Sequence, residues 1–175
     1  MTLPRSLGYL PVHEFASIGD LDAIKQLNLD NITALTSNHQ TALDVAVEFD
    51  QLDVVTYFID NYPTMLQHTS KKGDSVLHVA VIHERTSVVA RLMRDYITVF
   101  WDYKPNMKGR TPIQEAIVIG FFEGLVIMLN CKPEWLTIVD NYKRTLLHLA
   151  IDYEKTSMLI YLLTIAPKDM LLIQC

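Results

Sequence analysis

The sequence predicts an all-α chain, a solenoid of about five helix-turn-helix units joined by short turns and loops. Three observations carry this. One short segment recurs: Leu-Pro-Val-His-Glu-Phe-Ala (10–16), Thr-Ala-Leu-Asp-Val-Ala (41–46), Ser-Val-Leu-His-Val-Ala (75–80), Thr-Pro-Ile-Gln-Glu-Ala (111–116) and Thr-Leu-Leu-His-Leu-Ala (145–150). Its fourth residue falls at 13, 44, 78, 114 and 148, spacings of 31, 34, 36 and 34. Thr41, Ser75, Thr111 and Thr145 head four of the copies, where a hydroxyl caps an otherwise orphan helix N–H. Each of the later copies is then followed by a second apolar stretch with the 3- and 4-residue spacing of an amphipathic helix.

Taken in order, the units span roughly 8–35, 36–69, 70–105, 106–139 and 140–175, together a single domain. The second has its first helix from Thr41 and its second on Leu52, Val54, Val55, Phe58 and Ile59, stopped by Pro63. The third starts at Ser75 and continues on Val88, Val89, Leu92 and Met93. It lacks the terminating proline and carries Ile97-Thr-Val-Phe-Trp101 in a connection two residues longer, whose aromatics are expected to fill core. In the fourth, Pro112 directly follows its cap, at the first helical position, where a missing N–H costs nothing; Pro133 ends its second helix. The fifth runs from Thr145 through Met158–Ile165 to Pro167. The prolines at 63, 133 and 167 each lie 19 residues after the signature position and precede apolar pairs or runs: Met65-Leu66, Trp135-Leu136 and Met170-Leu171-Leu172. These read as rigid packing segments between units. Ala46, Ala80, Ala116 and Ala150 recur at one place, small enough to let neighbouring helices approach closely.

The period, with Thr-Pro-Leu-His-x-Ala as the shared spelling, resembles the ankyrin repeat, a β-turn and two antiparallel helices in about 33 residues. Thr111-Pro112-Ile113 is the best single match, and residues 12–27 look like an N-terminal ankyrin repeat in near-standard form. The resemblance covers nearly the whole chain. It departs from the family where proline, rather than Gly and an Asn turn, closes the second helix. It implies that His13, His78 and His148 hydrogen-bond backbone and the next unit's cap, a structural duty that Asp44 and Gln114 can also perform. A metal site would not tolerate such substitution.

Composition narrows the function classes. The 175 residues are 50% hydrophobic with a net charge of −5, which argues against a dedicated nucleic-acid binder. Cys131 and Cys175 form no disulfide framework, and residues 1–10 lack a secretory h-region. No apolar run reaches the roughly 18 residues of a membrane helix, so membrane insertion is not expected. A cytoplasmic protein is expected. His39, His68 and His83 lack metal-ligand spacing, Gly73 and Gly109 are turn glycines rather than a phosphate loop, and Cys131 has no free histidine nearby in sequence. Neither an enzyme nor a cofactor is expected.

In a repeat solenoid the core serves stacking, and binding falls to positions outside it. For an ankyrin unit, the resemblance places these on the loop tips and on the exposed side of the first helix. On the helix side they are Ser17 and Ile18, Glu48 and Phe49, Ile82 and His83, Val118 and Ile119, Asp152 and Tyr153. On the tips they are Ser37, Asn38 and Gln40; Lys71, Lys72 and Asp74; Met107, Lys108 and Arg110; Asn141, Tyr142 and Arg144. Phe49, Ile82, Val118, Ile119 and Tyr153 make an apolar row, and exposed apolar patches mark binding sites. Lys71, Lys72, Lys108, Arg110, Lys143 and Arg144 make a basic rim that would steer a partner bearing negative charge. The expected function is an adaptor or scaffold whose concave face binds another protein with an acidic and apolar epitope. The alternative is the recognition segment of a larger enzyme or of a secreted bacterial effector acting in host cytosol. No polar capping unit follows Pro167, so the expectation is a fragment of a longer protein, or an end covered by a partner or by self-association.

Overall fold

In the computed structural model, which describes residues 10–96 and 104–166, Thr41, Ser75, Thr111 and Thr145 all stand at helix N-caps. The expected cap bond from the N–H three residues on forms at Thr41 and Ser75, whereas the buried Thr111 hydroxyl has no hydrogen-bond partner among the described residues. The order is α1 (Pro11–Ile18), α2 (Leu21–Lys25), α3 (Leu29–Ile32), α4 (Ala42–Glu48), α5 (Leu52–Asn61), a 3₁₀ turn (Pro63–Gln67), α6 (Val76–Ile82) and α7 (Thr86–Asp95). It continues with α8 (Pro112–Ile119), α9 (Phe122–Cys131), a second 3₁₀ turn (Pro133–Thr137), α10 (Leu146–Asp152) and α11 (Thr156–Ile165). Among the described residues there is no strand, only isolated bridges pairing Thr69 with Ser75 and Val139 with Thr145. The chain is all-α. No helix among these residues is long and apolar enough to cross a membrane.

The helices pair off and the pairs pack in sequence order. Within pairs, α1 meets α2, α4 meets α5, α6 meets α7, α8 meets α9 and α10 meets α11. Between pairs, α1 packs on α4, α4 on α6, α6 on α8 and α8 on α10, while α5, α7 and α9 line up alongside. Ala16, Ala46, Ala80, Ala116 and Ala150 sit in the first-helix row with no more than 1% exposure, so a larger side chain there would push the rows apart. Val54, Val55, Phe58 and Ile59 of α5 and Val88, Val89, Leu92 and Met93 of α7 supply the apolar face of the second row.

Backbone conformation repeats with the sequence period. Every left-handed residue among those described falls at one of two register positions. Six residues after the signature position stand Gly19, Asp50, Glu84, Gly120 and Glu154, with φ of 78°, 60°, 56°, 95° and 54°. At the tips stand His39, Gly73, Gly109 and Lys143, with φ of 56°, 75°, 73° and 64°. Glycine meets this demand without strain; the other residues adopt it at a cost.

The segments begun by Pro63 and Pro133 are 3₁₀ turns that bury Met65, Leu66, Trp135 and Leu136. The first unit differs. Its α2 is short and a separate helix, α3, follows, begun by Asn28, whose side chain accepts from the Asn31 N–H at 3.0 Å. Ile97–Trp101, Pro167, Met170–Leu172 and Cys175 lie outside the described residues.

Candidate functional site

The signature residue closes each first helix on itself. The cap N–H donates to the side chain three residues on: Leu10 to His13 (3.1 Å), Thr41 to Asp44 (2.8 Å), Ser75 to His78 (3.2 Å), Thr111 to Gln114 (2.9 Å) and Thr145 to His148 (3.2 Å). With Nδ1 accepting, the ring proton sits on Nε2, which then donates to the following loop. His13 Nε2 lies 3.1 Å from the Ala34 carbonyl and His78 Nε2 2.9 Å from that of Arg110. Burial holds both imidazoles below their ordinary pKa, against the opposing pull of these backbone bonds, so the neutral form persists. A neutral ring with both nitrogens engaged is a strut, not a base or a ligand.

Asp44 fills the same place with a different consequence. Its carboxylate accepts from both the N–H and the hydroxyl of Thr41, yet it is 2% exposed. Burial, reinforced by the like charges of Asp74 and Glu48 and opposed by the Thr41 bonds, raises its pKa to about 6.

Four loop tips share one construction. Thr36, Ser70, Asn106 and Asp140 stand eight residues before the signature position and accept backbone N–H groups from within their own turn. Thr36 takes Gln40, Ser70 takes Lys72 and Asp74, Asn106 takes Lys108 and Arg110, and Asp140 takes Tyr142 and Arg144. Tips also join one another: the Lys71 N–H donates to Asn38 O at 2.9 Å and the Met107 N–H to Lys72 O at 2.8 Å. Beneath them the Asn106 amide donates to the buried Asp74 carboxylate at 2.8 Å.

A second set of cross-unit clasps has no counterpart in the sequence reading. Gln51, Arg85 and Lys155, each seven residues after a signature position, reach back to first-helix carbonyls of the preceding unit. Gln51 donates to Ser17 O at 3.0 Å, Arg85 to Glu48 O, and Lys155 to Ile119 O at 3.4 Å. They satisfy carbonyls that a helix C-terminus leaves without an intrahelical partner. The signal was present as a polar residue recurring at one register.

The residues named as partner-binding fall along the ends of the first helices and the tips, with unequal exposure. Phe49, at the end of α4, is 38% exposed. Ile82, His83, Val118, Ile119 and Tyr153 are half-buried, and Ile119 and Tyr153 pack against the core. The apolar row is thus a ledge rather than a continuous exposed face. Asp74 and Ser17, placed on the surface by their offsets, are buried. The largest apolar exposures on this edge belong to the tips: Met107 at 81% and Tyr142 at 80%.

Much of the basic rim is neutralised internally. Glu115, 3% exposed at its side chain, takes Lys108 at 3.2 Å and Arg110 at 3.3 Å. Arg110 also donates to the Tyr153 hydroxyl at 2.7 Å and lies over that ring. Arg144 meets Asp140 and Asp152, both at 2.7 Å, and lies over Tyr142. Burial by itself would raise the Asp140 pKa, but the N–H groups of Arg144 and Tyr142 and the Arg144 guanidinium outweigh it and hold the carboxyl below its ordinary value. Lys71 and Lys72 are exposed and have no carboxylate partner among the described residues. Counting cations alone missed Glu115. Its signal was a charge at a helix position where three other units hold Val45, Val79 and Leu149, the first unit alone matching it with Glu14.

Two clefts open between successive tips. One, of about 270 Å³, is lined by residues that include Asn38, Glu48, Lys71, Lys72, Ile82 and His83. The other, of about 220 Å³, includes Lys108, Arg110, Asp140, Tyr142 and Arg144. No family model matches this chain, and no curated protein matches it.

Proposed function

We propose that this chain is an ankyrin-repeat solenoid acting as a protein–protein interaction module, an adaptor or scaffold that takes its partner along the tip edge and the adjoining ends of the first helices. The fold reading draws support from the recurrence of cap, left-handed residue and tip turn at a single period, and from pairs that pack in sequence order. The functional reading rests on one observation above the rest. Met107 and Tyr142, both about four-fifths exposed, stand on turns whose backbone is fixed by side-chain and cross-tip hydrogen bonds. Where the backbone is already fixed, covering a large apolar side chain costs only that side chain's own freedom, so more of its burial energy goes into binding.

The test is affinity capture from a cell lysate with three immobilised forms of the chain: unaltered, Met107→Asp/Tyr142→Asp, and Leu52→Asp on the exposed side of α5. Partners retained by the first and third but lost by the second support the reading. Identical capture by all three removes the tip edge as the binding surface.

A further inference from the structure

The tips are not electrostatically equivalent, and the difference selects a partner chemistry. At the fourth and fifth units an anion approaching Lys108, Arg110 or Arg144 must displace carboxylates that hold them at 2.7–3.3 Å, which leaves Lys143 as a single exposed cation there. At the third unit it meets Lys71 and Lys72, which need only shed water. Their backbone is already anchored. The Lys71 N–H is held by Asn38 O at 2.9 Å, the Lys72 N–H by Ser70 Oγ at 3.2 Å, and the Lys72 carbonyl by the Met107 N–H at 2.8 Å. The nearest acid on the same loop, Asp74, is buried and bound to Asn106 at 2.8 Å.

Beside these two cations the cleft of about 270 Å³ is lined by the apolar side chains of Val79 and Ile82, and by His83 and Glu48. We propose that this cleft takes a peptide segment of a partner protein in which an acidic side chain, bound by Lys71 and Lys72, is followed closely by an aliphatic one seated on Val79 and Ile82. Glu48 sets the limit on charge. A continuous polyanion threading the cleft would meet its carboxylate, in a chain that already carries net charge −5. An isolated acid beside an apolar residue satisfies both walls, whereas nucleic acid satisfies one.

This inference rests on the interaction-module reading, and its test separates the two. Random dodecapeptides displayed on phage are selected against the 175-residue chain, and the enriched peptides are measured by fluorescence polarisation. The expected result is enrichment of Asp or Glu next to Leu, Ile or Val. Lys71→Glu/Lys72→Glu should weaken binding by about tenfold or more, the sum of two exposed ion pairs lost and reversed. Changing the peptide acid to Lys should recover part of that loss in the reversed variant alone. Enriched peptides without an acidic residue, no enrichment, or affinity unchanged in Lys71→Glu/Lys72→Glu overturns the proposal. If those peptides depend instead on Met107 and Tyr142, the interaction module stands and this cleft does not. A labelled oligo-dT of twenty nucleotides binding as tightly as the best peptide would also overturn it.

Discussion

Replacing Asp44 with asparagine should stabilise the protein at neutral pH, an unusual outcome for a fully buried side chain that makes two hydrogen bonds. The carboxyl is displaced from its ordinary value of 3.8 to about 6, burial being the principal cause. At a pH above both values, holding that group ionised in the fold costs roughly 3 kcal/mol relative to the unfolded chain. Asparagine keeps an oxygen for the Thr41 N–H and hydroxyl, and removes a like charge facing Asp74 and Glu48. Its NH₂ enters the same buried space, at a cost of about 1 kcal/mol or more if it finds no acceptor. The net expectation is a gain of about 1–2 kcal/mol at pH 7.5. The sign of the pH dependence follows. A folded-state pKa raised above the unfolded one means that the Asp44 contribution is most favourable below 3.8 and is lost as pH rises through about 6. Urea unfolding followed by circular dichroism at pH 7.5, 6.0 and 5.0, on both proteins, isolates this term, because His13 and His78 are common to the two. The advantage of Asp44→Asn should shrink steadily as the pH falls. A variant less stable than the parent at pH 7.5, or a difference independent of pH, would refute the reasoning.

Four further outcomes also concern stability. Glu84→Gly and Lys143→Gly should each raise stability by about 0.5–1 kcal/mol, because a non-glycine residue is relieved of a left-handed φ and the gain exceeds the entropy glycine adds to the unfolded chain. Gly73→Ala should do the reverse, since its φ is +75° and the new methyl would lie 3.2 Å from the Met107 nitrogen; a neutral effect would mean the tips are looser than drawn. His78→Gln should lessen the loss of stability on acidification between pH 6.5 and 5, because the buried imidazole has its pKa lowered and the unfolded chain takes up the proton first; an unchanged acid limb in urea titrations would contradict that. Ala80→Leu should cost about 1–3 kcal/mol by separating α6 from its neighbours, read as a lower thermal midpoint.

How far the candidate site could be read from the sequence depended on the range of each interaction. Tip positions came from the offsets that the ankyrin resemblance implies, and the turns there are closed by residues a few places apart, as when Asp140 accepts from Tyr142 and Arg144. Phe49 and Lys72 followed from the same offsets and are exposed. The ion pairs of the rim are close in sequence, as between Arg144 and Asp140, but which cations also meet a ring from the next unit was not legible. Arg110 and Tyr153 are 43 residues apart, and whether the cation faces solvent or that ring depends on how one pair of helices seats on the next. Exposure of the apolar row was hidden for the same reason: Ile119 and Tyr153 share an offset with Phe49 but meet different neighbours.

By itself, then, the sequence determined the punctuation: five first helices, four of them begun at a hydroxyl residue, the turn glycines Gly73 and Gly109, and the prolines that start Pro63–Gln67 and Pro133–Thr137. These follow from capping, φ preference and the missing proline N–H, all settled within a turn of backbone. Tertiary packing alone decided that Glu115 silences Lys108 and Arg110, that Gln51, Arg85 and Lys155 clasp the preceding unit, and that Asp44 is driven towards its neutral form. Solvation and Coulomb energies belong to whatever surrounds a group in space: Gln51, Arg85 and Lys155 reach carbonyls 34 to 37 residues away, Asp74 acts on Asp44 from another unit, and Glu115, though close in sequence to Lys108 and Arg110, is buried only because α8 packs between α6 and α10.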